Sequence, residues 1–299
     1  MALTNKLDAI GDAIRRKNGE TDKYTLPQMV EKIDAIPSGG GYDYFSFDEE
    51  GNLTGNASYV KQTMFSFDGT SSTKKAGICG FIKTIDLPKC ERVETYAFYK
   101  AQNFTSLSLA ACTKIEDRAF QGCLSLSTMN LPACLTIGSS AFYGCTSLAS
   151  VDLPVCKTIN TDAFYGCTSL ASVSLPVCPL VGSGAFQGCT SLASVDLPVC
   201  TTINGYAFYG CISLTSVDLP VCTTINSSAF SGCKKLATLI LRNTEKVASG
   251  SSAALTNTAI ASGTGYIYVP DALVDSYKTA TNWSTYADQI KPLSELPTS

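Results

Sequence analysis

The sequence contains no histidine among its 299 residues, and only 16% of the residues are charged. Without imidazole, the chain lacks the side chain that most often serves as a general base and as a nitrogen ligand of metals. The formal net charge is −3, and lysine and arginine are spread thinly, so no basic stripe could neutralise nucleic-acid phosphates. We therefore expect neither histidine-based catalysis nor a nucleic-acid partner.

Long apolar runs are also missing. No segment reaches the roughly 18 apolar residues that a membrane-spanning helix needs, because Ser, Thr, Asp or Gly interrupts each one. The first ten residues include an acidic residue and no continuous apolar core, so we expect no secretory signal there. These absences predict a protein without membrane insertion, made in the cytoplasm and kept there unless another machine releases it.

Cysteine, in contrast, is abundant, and 13 of the 14 cysteines fall into two columns that advance by 22 residues. The columns are Cys90, Cys112, Cys134, Cys156, Cys178, Cys200 and Cys222, and Cys123, Cys145, Cys167, Cys189, Cys211 and Cys233. A residue type that recurs once per structural repeat is expected to point inward, where a free thiol acts as a small apolar filler. With no Cys-x-x-Cys pair, zinc is disfavoured, and reduced, buried thiols are predicted.

Phenylalanine follows the same 22-residue period. The column comprises Phe98, Phe120, Phe142, Phe164, Phe186, Phe208 and Phe230, with no interval altered. Such a fixed period predicts a solenoid of about seven coils between Ile82 and Leu241, and parallel coils about 4.8 Å apart would form a rod of roughly 35 Å.

Within one repeat, apolar residues alternate from Leu170 to Leu175, which predicts a half-buried strand that Pro176 ends. The Ala-Phe-Tyr-Gly-Cys segment has an apolar spacing of three, which predicts one helical turn that Gly166 leaves through positive φ. A second, minor strand is expected at residues 158–159, on the opposite side of the coil.

The ends of a solenoid need caps, since they would otherwise expose strand edges and apolar columns. We expect strands at residues 44–47 and 64–67 with a turn at 48–52, and on the other side a last strand at 266–270 and a helix at about 271–278. An aromatic segment around Trp283 and Tyr286 follows. The predicted organisation is 1–41 helical hairpin, 42–81 β-rich cap, 82–241 solenoid and 242–299 C-terminal cap.

The pattern Ala-Phe-x-Gly-Cys-x-Ser-Leu-x-Ser-Val-x-Leu-Pro, intact at residues 141–154 and 163–176, resembles the BspA-type leucine-rich repeat of surface adhesins of anaerobic bacteria and of their phages. Residues 267–270 with Asn282 and Trp283 resemble C-terminal ends common in that family. The resemblance implies an α/β repeat with a parallel sheet, and non-catalytic, cofactor-free binding to a protein or glycan surface. Those adhesins normally carry secretion signals or wall anchors, neither of which the sequence shows.

The N-terminal segment predicts a helical hairpin. Two apolar stripes at helical spacing define it, namely Leu3, Leu7, Ile10 and Ile14, then Met29, Ile33 and Ile36. Pro27 opens the second helix, and residues 37–41 form a flexible linker. The hairpin either packs on its own chain or serves in docking and oligomerisation. The segments Asp-Ala-Ile-Gly-Asp-Ala-Ile-Arg-Arg-Lys (8–17) and Lys-Tyr-Thr-Leu-Pro-Gln-Met (23–29) are similar to N-terminal modules of phage and prophage tail-associated proteins of gut Firmicutes.

Two outward columns are candidates for binding. The residues after each Phe form a row of Tyr99, Gln121, Tyr143, Tyr165, Gln187, Tyr209 and Ser231, which either contacts a partner or only covers the turn beneath it. The outward strand positions form a row of Asp86, Ser108, Asn130, Asp152, Ser174, Asp196 and Asp218, which either binds or only solvates the strands. Calcium is conceivable only between Asp196 and Asp218, and no metal site is predicted.

A catalytic site would require different groups that converge, whereas the repeat supplies identical groups in rows. We therefore expect no enzyme. The leading hypothesis is a phage tail or baseplate protein, assembled in the host cytoplasm, which contacts other virion proteins through its hairpin and a host-surface protein or glycan through its solenoid. The alternatives are a bacterial cell-surface adhesin exported by a non-classical route and a structural spacer that binds nothing. Homo-oligomers are compatible with the hairpin.

Overall fold

A computed structural model describes residues 45–47, 52–55, 59–60 and 83–297. The predicted helical hairpin and the predicted strand at 64–67 lie outside these residues. The described chain is a parallel β-solenoid of about ten turns, most of them 22 residues long. The solenoid and its parallel sheet were predicted, but the seven coils expected are too few, because segments outside 82–241 also join the stack.

The longer strands line one side of the solenoid. An antiparallel strand, β1 (Phe45–Phe47), pairs with the first of them, β2 (Asn52–Gly55), and the others run parallel. They are β4 (Thr84–Asp86), β6 (Ser106–Ser108), β8 (Thr128–Asn130), β10 (Ser150–Asp152), β12 (Ser172–Ser174), β14 (Ser194–Asp196), β16 (Ser216–Leu219), β18 (Thr238–Leu241), β20 (Tyr266–Val269) and β21 (Ile290–Pro292). β1 confirms the predicted strand at 44–47, whereas β2 begins at Asn52, the last residue of the segment predicted to be a turn.

Shorter strands form a continuous nine-stranded parallel sheet on another side. They are β3 (Tyr59–Val60), β5 (Arg92–Val93), β7 (Lys114–Ile115), β9 (Thr136–Ile137), β11 (Thr158–Ile159), β13 (Leu180–Val181), β15 (Thr202–Ile203), β17 (Thr224–Ile225) and β19 (Ala248–Ser249). The predicted minor strand at 158–159 is thereby confirmed.

Register across the coils follows the sequence period. Val151 pairs with Val173, and Val173 pairs with Val195, so each apolar residue lies over its equivalent. The phenylalanines stack in the same way, with centroids of adjacent rings 5.1 to 5.5 Å apart from Phe98 to Phe230. Because stacking places equivalent inward side chains on one another, the same residue type can occupy an inward position in each regular coil.

The segment around each Phe is not the helical turn that the spacing of three predicts. In one coil, the amides of Asp162, Phe164 and Gly166 donate to carbonyls of the next coil at 2.8 to 2.9 Å. The amides between them donate three residues back along the chain, as Tyr165 does to Asp162 at 3.1 Å. This alternation requires positive φ twice per coil, at Asp162 (55°) as well as at the predicted Gly166 (69°). Cross-coil bonding replaces a helix because it satisfies half of these amides in the neighbouring coil.

The cysteines of both columns are buried as thiols, as predicted. Each donates to a backbone carbonyl; Cys167, for example, reaches that of Phe142 at 3.3 Å, and Cys178 reaches that of Leu180 at 3.1 Å. Burial raises the pKa of Cys156 and of Cys189 to about 12. The pKa of Cys112 is lowered instead, because its thiol hydrogen-bonds with that of Cys90.

The C-terminal end is closed by strands, a helix and buried aromatic rings. The predicted strand at 266–270 is β20, although β21 follows it, and the predicted helix is a 3-10 turn, Asp271–Leu273, continued by α1 (Val274–Thr279). Trp283 is 2% exposed and donates its indole N–H to the Val247 carbonyl at 2.8 Å. The Tyr277 hydroxyl accepts a hydrogen bond from the Val247 amide at 2.7 Å. Val247 is thus anchored on both sides, which holds the cap against the last coils.

Candidate binding surface

Two surfaces of the solenoid carry the outward rows predicted from the sequence. The strand face is defined as the outward positions of the longer strands, Asp86, Ser108, Asn130, Asp152, Ser174, Asp196 and Asp218. The turn face is defined as two columns flanking the phenylalanines. Its first column comprises Tyr96, Arg118, Ser140, Asp162, Gly184, Tyr206 and Ser228, and its second comprises Tyr99, Gln121, Tyr143, Tyr165, Gln187, Tyr209 and Ser231.

The strand face places its acidic groups in different surroundings. Arg242 forms a two-pronged ion pair with Asp218, with nitrogen–oxygen distances of 2.9 to 3.1 Å. Asp196 accepts a hydrogen bond from the Ser174 hydroxyl at 3.3 Å, and Asp152 is exposed. Because a guanidinium already neutralises Asp218, this carboxylate is not available to share a calcium ion with Asp196.

On the turn face, Tyr143 and Tyr165 lie in adjacent coils and stack on each other. Their ring centroids are 4.5 Å apart, and the planes differ by 2°. The pKa of Tyr143 is raised, first by burial and then by the proximity of Tyr165 and Asp162. Two of the four predicted tyrosines are therefore brought together, and each already covers a face of the other.

Tyr99 lies at the N-terminal end of the turn face and forms an edge-to-face pair with Tyr96, with centroids 5.4 Å apart. The chain's own cations cover this pair. Lys100 Nζ is 5.1 Å from the centre of the Tyr99 ring, and Arg118 Cζ is 5.5 Å from the centre of the Tyr96 ring. These contacts are within the range of cation–π attraction.

Tyr209 is paired with Tyr206 at a centroid distance of 5.7 Å, with the ring planes tilted by 53°. These two rings are the most exposed tyrosines of the turn face, at 40% and 48% of their surface. Beyond them the second column ends at Ser231, which is buried.

The first column of the turn face, including Tyr96, Asp162 and Tyr206, was not predicted as part of a binding surface. The spacing could have indicated this column, because its positions recur at intervals of 22, two residues before each Phe, although the residue types differ. This column points outward because its backbone has positive φ, which is 55° to 61° at Asp162, Gly184 and Tyr206. The residue types of the column do not indicate this conformation.

Both faces present rows of side chains that can form hydrogen bonds and aromatic contacts. Within the described residues, no group of three or more acidic, cysteine or histidine side chains is arranged to hold a metal. The same part of the chain has no helix long and apolar enough to cross a bilayer. What the faces offer are aromatic rings, amides, hydroxyls and carboxylates at a regular spacing.

A comparison with family models agrees with this architecture. The family model of the BspA type leucine rich repeat region matches six copies, over residues 76–178 and 157–269. No curated protein matches the chain. Among solved structures, a leucine-rich repeat protein of T. pallidum is 22% identical and aligns over 78% of this chain and 91% of its own, with a TM-score of 0.42.

Two further structures are similar over most of their length. A leucine-rich repeat protein of Bacteroides ovatus is 16% identical, aligned over 84% of this chain and 98% of its own, with a TM-score of 0.30. A leucine rich cell surface protein of Faecalibacterium prausnitzii is 15% identical, aligned over 85% and 94%, with a TM-score of 0.25. Since the family model spans more than half of the sequence and coincides with the stacked coils, this chain belongs to the BspA-type leucine-rich repeat family.

Proposed function

We propose that the chain is a non-catalytic recognition protein that binds a protein or glycan of a host surface through the turn face. The observation that carries this proposal is the exposure of the paired rings of Tyr206 and Tyr209 on a backbone that is hydrogen-bonded from coil to coil. Tyrosine is enriched at interfaces because it supplies a large contact area at a small entropic cost. A face fixed in advance by cross-coil hydrogen bonds loses little further freedom on binding.

The strand face is the second candidate surface for the same function. Asp152 and Asp196 are exposed there, and they could accept hydrogen bonds from a ligand. Two properties make it the weaker candidate, since Asp218 is neutralised by Arg242 and the face has no exposed aromatic ring among these positions. Its variants serve as matched controls.

Attachment of the labelled protein to a panel of bacterial and mammalian cells tests the proposal. Replacing Tyr143, Tyr165 and Tyr209 together by Ser is expected to lower attachment at least about tenfold, because several aromatic contacts are lost at once. The control changes Asp152 and Asp196 to Asn and is expected to leave attachment within about twofold. Unchanged attachment by the tyrosine variant, with unaltered urea unfolding, would eliminate the turn face.

We propose that the protein is located in a phage tail or baseplate. The N-terminal hairpin attaches the chain there through contacts with other virion proteins or with further copies of itself. The support is the resemblance of two short segments, residues 8–17 and 23–29, to tail-associated modules. The alternative is a bacterial cell-surface adhesin, with which membership of the BspA-type family agrees equally well. Detection of the protein on purified particles favours the first setting, and detection only on the cell envelope favours the second.

The proposed role of the hairpin has its own test in the full chain. Changing Leu7 and Ile14 to Asp places charges on the predicted apolar stripe, and the mass in solution or the incorporation into particles should fall. If both remain as in the unmodified chain, the hairpin has no docking role. A structural spacer would show neither cell attachment nor any effect of the tyrosine substitutions.

A further inference from the structure

Two aromatic pairs occupy equivalent places on the turn face. Tyr96 and Tyr99 lie in one coil, and Tyr206 and Tyr209 lie 110 residues further on, five repeats of 22. The ring centroids are 5.4 Å apart in the first pair and 5.7 Å apart in the second. The repeat has therefore placed two neighbouring rings at equivalent positions twice, with planes 78° apart in the first pair and 53° apart in the second.

At the first pair, both rings are covered by cations of the chain itself. Lys100 Nζ is 5.1 Å from the centre of Tyr99, and Arg118 Cζ is 5.5 Å from the centre of Tyr96. Arg118 also donates a hydrogen bond to the Tyr96 hydroxyl. An aromatic pair at this position of the repeat thus accommodates ammonium and guanidinium groups, whose charge is attracted by the ring quadrupole.

At the second pair, the two cation positions carry no charge. Gly210 stands where Lys100 stands five repeats earlier, and Ser228 stands where Arg118 does. Within residues 83–297, the lysines and arginines that lie over aromatic rings cover Tyr96, Tyr99 and Tyr266, and none covers Tyr206 or Tyr209. The second pair therefore has the two tyrosine rings, but no lysine or arginine of the chain covers them.

A carboxylate lies two coils before the second pair, on the same column of the turn face. Gly184 separates Asp162 from Tyr206 in the first column, and its amide bonds to the Gly205 carbonyl at 3.0 Å, next to Tyr206. A β-carbon on Gly184 would overlap Oδ1 of Asp162 and lie 3.4 Å from Oε1 of Gln187. The absence of a side chain at Gly184 therefore lets two side-chain oxygens lie over its backbone, and Tyr206 follows in the next coil.

The Asp162 carboxylate is partly withdrawn from water, and burial raises its pKa. The ion pairs within residues 83–297 involve Glu116, Asp218 and Glu295, so none of them neutralises Asp162. A partly desolvated carboxylate without a counter-ion is stabilised when a cation binds beside it.

We propose that the surface around Gly184, bordered by Asp162, Gln187, Tyr206 and Tyr209, binds an ammonium or guanidinium group of an external ligand. The inference rests on the proposed function of the turn face and specifies the charge of the group recognised. Asp162 supplies the opposite charge, Gln187 accepts an N–H through its amide oxygen, and the rings supply cation–π attraction. Lysine or arginine side chains of a protein and the free amine of an amino sugar share this chemistry.

The test follows the ring signals of Tyr206 and Tyr209 by nuclear magnetic resonance in the full chain with labelled tyrosine. The probes are Nα-acetyl-arginine amide, Nα-acetyl-lysine amide and glucosamine, with glucose as the uncharged control. We expect saturable shifts with a dissociation constant in roughly the millimolar range for one or more cations, and none with glucose. Tighter binding of the amino-acid probes identifies a protein source, and tighter binding of glucosamine identifies a glycan source.

Two variants separate charge recognition from unspecific contact. Asp162→Asn is expected to weaken cation binding at least about fivefold, because only the charge is removed. Ser228→Arg introduces the equivalent of Arg118 at the second pair. Its guanidinium should cover the Tyr206 ring and lower the affinity for external cations at least about tenfold. Its backbone conformation suits arginine, since φ is 59° at Ser228 and 56° at Arg118. Ser228→Gln, which adds bulk without charge, is the matched control and should bind like the unmodified chain.

The proposal is overturned if glucose shifts the ring signals as much as the cations do, or if Asp162→Asn and Ser228→Arg both bind like the unmodified chain. A lack of cation binding, while cell attachment still depends on the tyrosines, overturns only this inference. Normal cation binding, with attachment insensitive to the tyrosines, overturns the proposed function and leaves the cation site standing.

Discussion

At the scale of the residue, the cysteines combine two roles that alanine or valine could not combine. Each thiol fills an inward position and also donates to a carbonyl, as Cys211 does to Phe186 at 3.2 Å. A thiolate at Cys211 could not make this bond and would lack solvation, so burial raises the pKa of this thiol. The cysteines of the two columns therefore serve mainly to pack the coils together.

Alkaline pH should consequently destabilise the fold. Burial raises the pKa of Cys156 and Cys200 to about 12 and that of Cys222 to about 11, from 9.0. Above about pH 9 the unfolded chain releases these protons and the folded chain retains them, so the stabilisation is complete below pH 9 and is lost as pH rises through the folded values. Each such thiol contributes a slope of about 1.4 kcal/mol per pH unit.

Urea unfolding at pH 7, 9 and 10 measures this effect, with a steep fall of the midpoint expected between pH 9 and 10. A variant with Cys156 and Cys200 both changed to Ala removes two of the titrating groups and should show a shallower fall. Equal slopes for the two proteins would mean that other groups set the alkaline limit.

At the scale of the element, the segment around each Phe is a strand-like turn whose backbone depends on positive φ. Gly166 has φ of 69° and open space where a β-carbon would lie, so Gly166→Ala isolates the backbone strain. Gly182 has ordinary φ, but a β-carbon there would lie 2.5 Å from the Ile159 carbonyl oxygen of the preceding coil. The two glycines are thus required for different physical reasons.

We expect Gly166→Ala to lower the free energy of unfolding by about 1 kcal/mol. Gly182→Ala should cost more, about 2 to 3 kcal/mol, because a backbone atom must move to relieve the overlap. Urea unfolding provides both values. A larger cost at Gly166 than at Gly182 would contradict the assigned geometry of this turn.

The C-terminal cap makes a separate prediction. Trp283→Ala removes a buried ring and the indole donor of the Val247 carbonyl, so the cap should lose about 3 to 5 kcal/mol. Because each coil is stabilised mainly by its neighbours, hydrogen exchange should accelerate first at residues 266–292 and later in the central coils. Tyr266→Ala, at a ring 41% exposed, is the control and should leave the exchange pattern unchanged.

The elements also show what could be predicted from sequence. Both strands of each coil and both thiol columns were predicted, because inward positions impose a local period on residue type. The cross-coil bonding at Asp162 was not, since it depends on a neighbour 22 residues away and on positive φ at a residue that is not glycine. The ion pair of Asp218 and Arg242 was also missed, because a separation of 24 falls outside the repeat.

At the scale of the whole molecule, the solenoid extends further than the repeat motif. Strands β2, β3, β19 and β20 pair with the regular coils although their sequences lack the Phe and Cys signature. Stacking requires only that the backbone continue and that apolar residues point inward, so end coils can diverge in sequence. This divergence explains why seven coils were predicted where about ten turns are present.

The stacking of the coils determines where the repeats can differ in sequence. The inward residues are fixed by stacking, and the cross-coil hydrogen bonds fix the turn face, so variation between repeats is concentrated at outward positions. On the turn face, this variation places two tyrosine pairs in contrasting surroundings, one covered by internal cations and one exposed. Tyr209 was predicted as a candidate from its place in a row, but its pairing with Tyr206 depends on the folded backbone.

Oxidative footprinting of the full chain, free and attached to cells, tests the central claim that the turn face is the recognition surface. The account predicts that attachment slows oxidation of Tyr206 and Tyr209 at least about threefold, while the exposed Tyr266 on β20 reacts as in the free protein. Protection of Tyr266 with unchanged oxidation of Tyr206 and Tyr209 would contradict it.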